Sequence, residues 1–189
     1  MSSVQLKDAR REGINLLKSQ TNESSLCLTS TPVLDCDCIL SYVFNISKEF
    51  IFSHPEFEIP LDKYDFFIEC IHKRISGLPV AYIISQKEFY GLDFYVTPDV
   101  LIPKYDTEIL VEASIQEITD YIYAKKTDKI KILDLCTGSG CIAISVYNAF
   151  VQKGFENLID FYACDISEKA LEIATHNANK HNCKINFIK

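Results

Sequence analysis

The sequence predicts an α/β protein in which a small helical region and a β-hairpin precede a βαβαβ half of a doubly wound sheet. Three observations carry this. Apolar residues before position 85 recur at helical spacing, and two short aromatic and β-branched runs then flank a turn near Gly91. Beyond Lys129, apolar strands alternate with helical patterns around a Gly-x-Gly loop.

Composition narrows the class. The 189 residues are 48% hydrophobic and 24% charged, which excludes a chain disordered throughout and leaves one large domain or two small ones. The most apolar stretches, such as residues 130–135 and 141–146, fall far short of the roughly 20 residues a spanning helix needs, so no membrane partner is expected. Residues 1–13 put charges where a signal peptide would carry its apolar run, which predicts a cytoplasmic protein. The net charge is −7, and the isolated basic pairs Arg10–Arg11 and Lys125–Lys126 argue against direct nucleic-acid binding. Eight cysteines form no Cys-x-x-Cys pair, and His176 and His181 would point about 140° apart on a helix. We therefore expect no metal, and thiols that are reduced and mostly buried.

The elements follow in order. Val33, Leu34, Ile39, Leu40, Val43 and Phe44 give one apolar helical face, and Tyr64, Phe67, Ile68, Ile71 and Ile75 another. Pro32, Pro55, Pro60 and Gly77-Leu78-Pro79 punctuate them, so residues 1–85 read as a domain of three to five short helices for recognition or packing. That region shows no constellation of acid, base or nucleophile. From Lys87 the sequence KEFYGLDFYVTPDVLIP reads as a hairpin about Gly91-Leu92-Asp93, with residues 86–103 as a linker. Its aromatics suit hairpin packing better than base stacking, because little positive charge flanks them. Asp106 is placed to cap a helix whose positive end Glu108 complements, with Ile109, Leu110, Ala113, Ile118 and Ile122 as its buried face.

Residues 104–189 carry the chemistry. Ile130, Ile132, Leu133 and Leu135 make a strand with little polar alternation, as one covered on both faces would be. It runs into Asp134-Leu135-Cys136-Thr137-Gly138-Ser139-Gly140, followed by a helix with Ile142, Ala143, Val146, Ala149 and Phe150 at helical spacing, ended by Gly154. A second strand closes on Asp165, Ser167 caps the next helix, and a third strand starts at Ile185. Gly138 and Gly140 let the backbone turn tightly and approach a ligand. At the neighbouring strand end, Asp165 can accept hydrogen bonds from both hydroxyls of a ribose. A glycine loop with a distal acid points to an adenosine-type cofactor without naming it. The dinucleotide fingerprint is broken, since Cys136 takes the first glycine position and Cys141 disturbs the later spacing. A P-loop fails for want of a lysine after the glycines.

Four stretches in this order resemble the HemK/PrmC family, class I S-adenosylmethionine-dependent methyltransferases that modify a glutamine of peptide chain release factors. Pro79-Val80-Ala81-Tyr82 with Glu88-Phe89-Tyr90-Gly91-Leu92 resembles the family's interdomain segment. Val100-Leu101-Ile102-Pro103 through Thr107-Glu108 to Val111-Glu112 resembles its IPRPETE element. Asp134 to Gly140 resembles the cofactor loop, and Asp165-Ile166-Ser167 with Ala170-Leu171 and Asn177-Ala178 resembles the ribose-binding strand end and its helix. The resemblance implies a helical domain that docks the release factor and a Rossmann-like catalytic domain. It implies S-adenosylmethionine bound by Asp134, Cys136, Thr137, Gly138, Ser139, Gly140 and Asp165, and methyl transfer to the glutamine amide of the Gly-Gly-Gln motif in class 1 release factors.

The sequence also departs from the family. The amide-gripping Asn-Pro-Pro-Tyr motif occurs nowhere in these residues, so no catalytic residue is assigned. Lys104-Tyr105-Asp106 stands for Arg-Pro-Glu, and Cys136 stands for the usual glycine, where it is tolerable at negative φ with its sulfur packed. The expected methyltransferase domain is therefore partial: it keeps much of the cofactor half-site, is inactive alone, and leaves its first strand as an apolar edge under an uncovered sheet face. A non-catalytic release-factor-binding protein, or one part of a split enzyme, is the alternative.

Overall fold

The computed structural model describes residues 3–19, 30–125 and 129–189, which divide into two units, Met1–Ile84 and Ser85–Lys189. Among the described residues no helix is long and apolar enough to cross a membrane.

In the first unit a short strand β1 (Ser3–Gln5) pairs antiparallel with β2 (Glu58–Pro60), setting Val4 opposite Ile59. Helices α1 (Leu6–Ser19), α2 (Pro32–Phe44), α3 (Lys48–Ser53), α4 (Leu61–Ile75) and α5 (Val80–Ile83) complete it. α1 buries Leu6, Ala9, Gly13 and Leu17, a stripe at helical spacing within a charged segment. A Cβ on Gly13 would lie 2.7 Å from Phe67 Cζ and 2.9 Å from Cys36 Sγ, so α1 meets α2 and α4 through bare backbone. The core around that contact is Phe67, Leu6, Ile39, Leu40, Ile59 and Ile71. Val33 and Leu34, expected in it, are exposed in the first turn of α2, ahead of the inward face that Cys36, Ile39, Leu40 and Val43 define.

That inward face also carries charge, which the apolar pattern concealed. Asp37 is 5% exposed and accepts two bonds from Arg10, from Nε at 2.6 Å and from Nη2 at 3.0 Å. Asp35 is 8% exposed and takes Arg74 Nε at 2.7 Å. The bidentate pairing pushes the Arg10 guanidinium above its ordinary value. Burial, reinforced by the acid beside it, pushes the Cys36 thiol up to about 12, so that sulfur is inert.

The second unit begins with the hairpin β3 (Gln86–Phe89) and β4 (Leu92–Tyr95). Phe89 pairs with Leu92, so the turn is Tyr90–Gly91 rather than Gly91-Leu92-Asp93. Both turn residues are left-handed, at φ 52° and 71°, as the twist of a two-residue hairpin demands. Phe89 and Phe94 are fully buried and meet edge to face. A 3₁₀ turn, Tyr105–Thr107, leads into α6 (Glu108–Lys125), so Asp106 lies inside the turn instead of capping the helix. α6 buries Val111 and Ile122 and exposes Ile109, Leu110 and Ala113. The helix is apolar on more than one side, and its periodicity selected the wrong one.

The parallel sheet runs β5 (Ile130–Leu135), β6 (Ile159–Cys164), β7 (Ile185–Ile188), with α7 (Cys141–Gln152) and α8 (Glu168–Lys180) as crossovers. Two successive right-handed crossovers advancing the same way place both helices on one face. The other face is therefore bare along β5, where Leu133 and Leu135 are 54% and 66% exposed, as expected of a partial domain with one uncovered sheet face, although the strand's apolar pattern suits cover on both sides. β5 is also the sheet's edge, as expected.

The buried pairs of the first unit give a direct test. Asp37→Ala removes both acceptors of the part-exposed Arg10 guanidinium and should lower unfolding free energy by about 1–2 kcal/mol, read from urea denaturation of the chain. A loss under about 1 kcal/mol would mean that water reaches Arg10 freely.

Candidate functional site

The loop between β5 and α7 is shaped by three left-handed residues in alternation, Cys136 at φ 58°, Gly138 at 56° and Gly140 at 79°. Thr137 N–H donates to the Cys164 carbonyl at 3.0 Å and Gly140 N–H to the Thr137 carbonyl at 2.8 Å, which folds the loop back over the end of β6. At Gly140 a Cβ would come within 3.0 Å of Ile144 Cδ1 and 3.2 Å of Ala174 Cβ, so glycine is required there both by φ and by the close approach of α8. Beside Gly138, by contrast, the space where a Cβ would stand is open. That opening is where backbone can approach a ligand.

Cys136 is the departure from expectation. Its φ is positive rather than negative, and its side chain is exposed rather than packed. A left-handed conformation costs a Cβ-bearing residue about 1–2 kcal/mol, so the loop holds strain at this position. Among the described thiols only Cys36 and Cys70 are buried, with Cys38, Cys141, Cys164 and Cys183 half-buried, so the expectation of mostly buried thiols holds only in part. Cys27 lies outside the described residues. Burial pushes up the thiols of Cys141 and Cys183, the latter to about 11.

Two carboxylates frame the loop. Asp134, near the end of β5, accepts the Thr137 hydroxyl at 2.7 Å. Burial raises its carboxyl above the ordinary value, the Thr137 bond and the Ala143 amide oppose the rise, and the charge of Asp165 adds to it. Asp165 follows β6 and accepts two backbone N–H groups, Gly138 at 2.9 Å on Oδ2 and Ser167 at 3.0 Å on Oδ1. Each oxygen keeps a further lone pair for a ligand donor. Among the described residues no salt bridge reaches Asp134 or Asp165; of the nearby lysines, Lys129 pairs with Asp160 and Lys169 with Asp99.

The structure thus gathers Asp134, Cys136, Thr137, Gly138, Ser139, Gly140 and Asp165 at the C-terminal end of two adjacent parallel strands, the customary ligand side of such sheets. Thr137 and Ser139 are buried and shape the loop from within. Two neighbours that the sequence showed only as parts of a matching stretch take on individual places here. Ile166, next to Asp165, is 93% exposed, an apolar side chain offered to whatever lies against the strand end. Asn177, on α8, is wholly buried and donates to the Ser139 carbonyl. The Asn177-Ala178 pair was visible in the sequence, but not the bond it makes. Among the described residues no group of three or more His, Cys, Asp or Glu is placed to hold a metal ion.

Comparison with known proteins bears on both units. Residues 8–84 match the PrmC N-terminal domain, and residues 113–189 match the ubiE/COQ5 methyltransferase family. The release factor glutamine methyltransferase of Coxiella burnetii is 37% identical over 171 residues, 89% of this chain and 57% of that protein. That of Buchnera aphidicola is 40% identical over 153 residues, 81% of this chain and 50% of that protein. That of Koribacter versatilis is 35% identical over 159 residues, 84% of this chain and 52% of that protein. The chain spans about half the length of the curated relatives it matches.

Strain at Cys136 is measurable. Cys136→Gly removes the left-handed penalty at an exposed position and should raise stability by about 0.5–1 kcal/mol in urea, after the entropy that glycine restores to the unfolded chain. A loss of stability would show that the thiol makes a contact that outweighs the strain.

Proposed function

The chain belongs to the HemK/PrmC family of S-adenosylmethionine-dependent methyltransferases, and on that premise we propose that it carries the cofactor-binding and release-factor-docking parts of a peptide chain release factor N5-glutamine methyltransferase. The carrying observation is the pair of acids at the strand ends. Asp134 accepts the Thr137 hydroxyl and Asp165 the Gly138 N–H, so both acids border the one glycine loop, with no salt bridge to either among the described residues. A cofactor bearing a pyrophosphate would meet two like charges there, whereas a sulfonium and an ammonium meet opposite ones.

The residues fit such a ligand. Asp165 has lone pairs left for ribose hydroxyls after serving Gly138 and Ser167. Ile166 offers an apolar face for the base, and the open side of Gly138 admits the ligand to the backbone. S-adenosylmethionine, when bound, supplies a methyl group on a positively charged sulfur that departs as a neutral thioether. The acceptor is the side-chain amide of the glutamine in a Gly-Gly-Gln motif of class 1 release factors. Its nitrogen lone pair is delocalised into the carbonyl, so transfer needs a group that grips and polarises the amide. The Asn-Pro-Pro-Tyr motif that resemblance assigns to this task is not among residues 1–189, so these residues bind and dock without transferring.

Calorimetry with S-adenosylhomocysteine tests the reading. The chain should bind it one to one and ignore NADH. Asp165→Asn should weaken binding about 10- to 100-fold, the worth of a charge-assisted bond to the ribose. Incubated with radiolabelled S-adenosylmethionine and a release-factor domain, the chain alone should transfer no label. NADH binding in place of S-adenosylhomocysteine, or label transfer at the rate of a longer relative, would overturn the assignment.

A second reading, in which a separate polypeptide completes the sheet, is favoured by one observation. β5 is an edge strand with Leu133 and Leu135 bare beside it. Leu133→Lys should alter the chain's own stability by no more than about 0.5 kcal/mol while reducing its self-association in sedimentation. A loss of several kcal/mol would mean that the side chain is already covered.

A further inference from the structure

Asn177 is 0% exposed, and its side-chain amide reaches two segments far from it in sequence. Oδ1 accepts the Tyr95 N–H at 2.7 Å, and Nδ2 donates to the Tyr95 carbonyl at 2.9 Å. Those two bonds reproduce one rung of a β-ladder, with a side-chain amide in place of a neighbouring strand. Nδ2 also donates to the Ser139 carbonyl at 2.9 Å. Both N–H groups and one oxygen lone pair are thus in use, a pattern that Asp, Leu and Ser cannot supply in the same volume.

The Ser139 bond matters because of where it falls. Gly138 and Gly140, on either side, are both left-handed and carry no side chain to resist rotation of the peptide between them. The Ser139–Gly140 peptide is instead pinned at both ends, its carbonyl by Asn177 and its N–H by the Thr137 carbonyl at 2.8 Å. The other ties between α8 and the hairpin lie at the surface. Lys180 Nζ and His181 Nε2 both meet the Asp93 carbonyl, and His176 packs on Tyr95. Of these contacts, Asn177 alone reaches both the hairpin and the loop.

We infer that Asn177 is a positioning residue that locks the Ser139–Gly140 peptide to strand β4, so that hairpin placement and the shape of the glycine loop are set together. The mechanical coupling stands on the bonds themselves. Its consequence for cofactor affinity rests on the function proposed above. A loop held in its binding shape spends no ligand free energy on ordering, and releasing it weakens binding without removing any group that touches the ligand.

Hydrogen exchange on the full chain separates the two. Asn177→Leu fills the site without donors, and Asn177→Ser keeps one donor in a smaller side chain. Ile173→Ala, buried on the same helix, is the control for general destabilisation. We expect Asn177→Leu to speed exchange about tenfold or more in peptides covering residues 136–141 and 92–96 together. Asn177→Ser should do so less, and Ile173→Ala should raise these peptides no more than the rest of the unit. S-adenosylhomocysteine affinity should fall about tenfold or more in Asn177→Leu but less than about twofold in Ile173→Ala. Faster exchange in the hairpin alone would reduce Asn177 to a hairpin clamp and overturn the coupling, as would equal effects in the control. If the unmodified chain binds no S-adenosylhomocysteine, the functional reading fails while the exchange pattern still decides the coupling.

Discussion

The second unit is organised around one carboxylate. Asp165 takes the Gly138 N–H on one oxygen and the Ser167 N–H on the other, joining the first βα turn to the start of the second. Asp134 adds the Thr137 hydroxyl to the first turn, but only Asp165 ties the two turns together, where backbone N–H groups would otherwise face solvent or ligand. With Asp165 in place, the glycine loop folds over the end of β6, α7 leaves at a fixed angle, and Gly140 can come against Ala174 of α8. A carboxylate that orders two loops through separate oxygens, with a further lone pair on each, serves structure here and recognition in the proposed function. That double duty explains why an acid, rather than an amide or a hydroxyl, suits the strand end.

The first unit uses charge differently. Its two buried acids are each paired with an arginine on another helix. Buried pairs of this kind add little net stability over apolar packing, but they penalise any arrangement of α1, α2 and α4 that separates the partners. Together with the bare-backbone contact at Gly13, they specify how the three helices meet. The contrast with Asp134 and Asp165 is one of neutralisation: the buried acids of the first unit are paired with arginines, whereas among the described residues no salt bridge reaches the two acids at the strand ends.

What the sequence disclosed follows the range of the interactions. The βαβαβ order, the glycine loop, the Ser167 cap and Asp165 were legible because each is written in consecutive residues: an apolar run, a turn, a helical stripe. The β1–β2 ribbon and α1 were not, since the strand partners lie more than 50 residues apart and charges dominate the segment between Lys7 and Glu12. The Asp35 and Asp37 pairs escaped for the same reason, their arginines standing 39 and 27 residues away. On α6 the failure was local. Apolar residues on several sides let Ile109, Leu110 and Ala113 pass for core while Val111 took that place. At Cys136 no residue pattern foretells a left-handed cysteine; only the tracing of the loop shows it.

These ranges also divide the proposed chemistry. Holding an adenosine-type cofactor draws on short-range structure: two adjacent strand ends, the turns that leave them, and α8 behind. All of that lies within 60 residues of continuous chain, and its loop is held by backbone bonds at Thr137 and Gly140 and by the Asp165 and Asn177 side chains. Gripping an acceptor amide is a different requirement, because the polarising groups must face the methyl group from across the site and so come from other elements. Cofactor affinity and transfer are therefore separable in this fold. In the proposed function the one draws on the bonds that Asp165 and Asn177 make to the glycine loop, and the other on polarising groups from other elements.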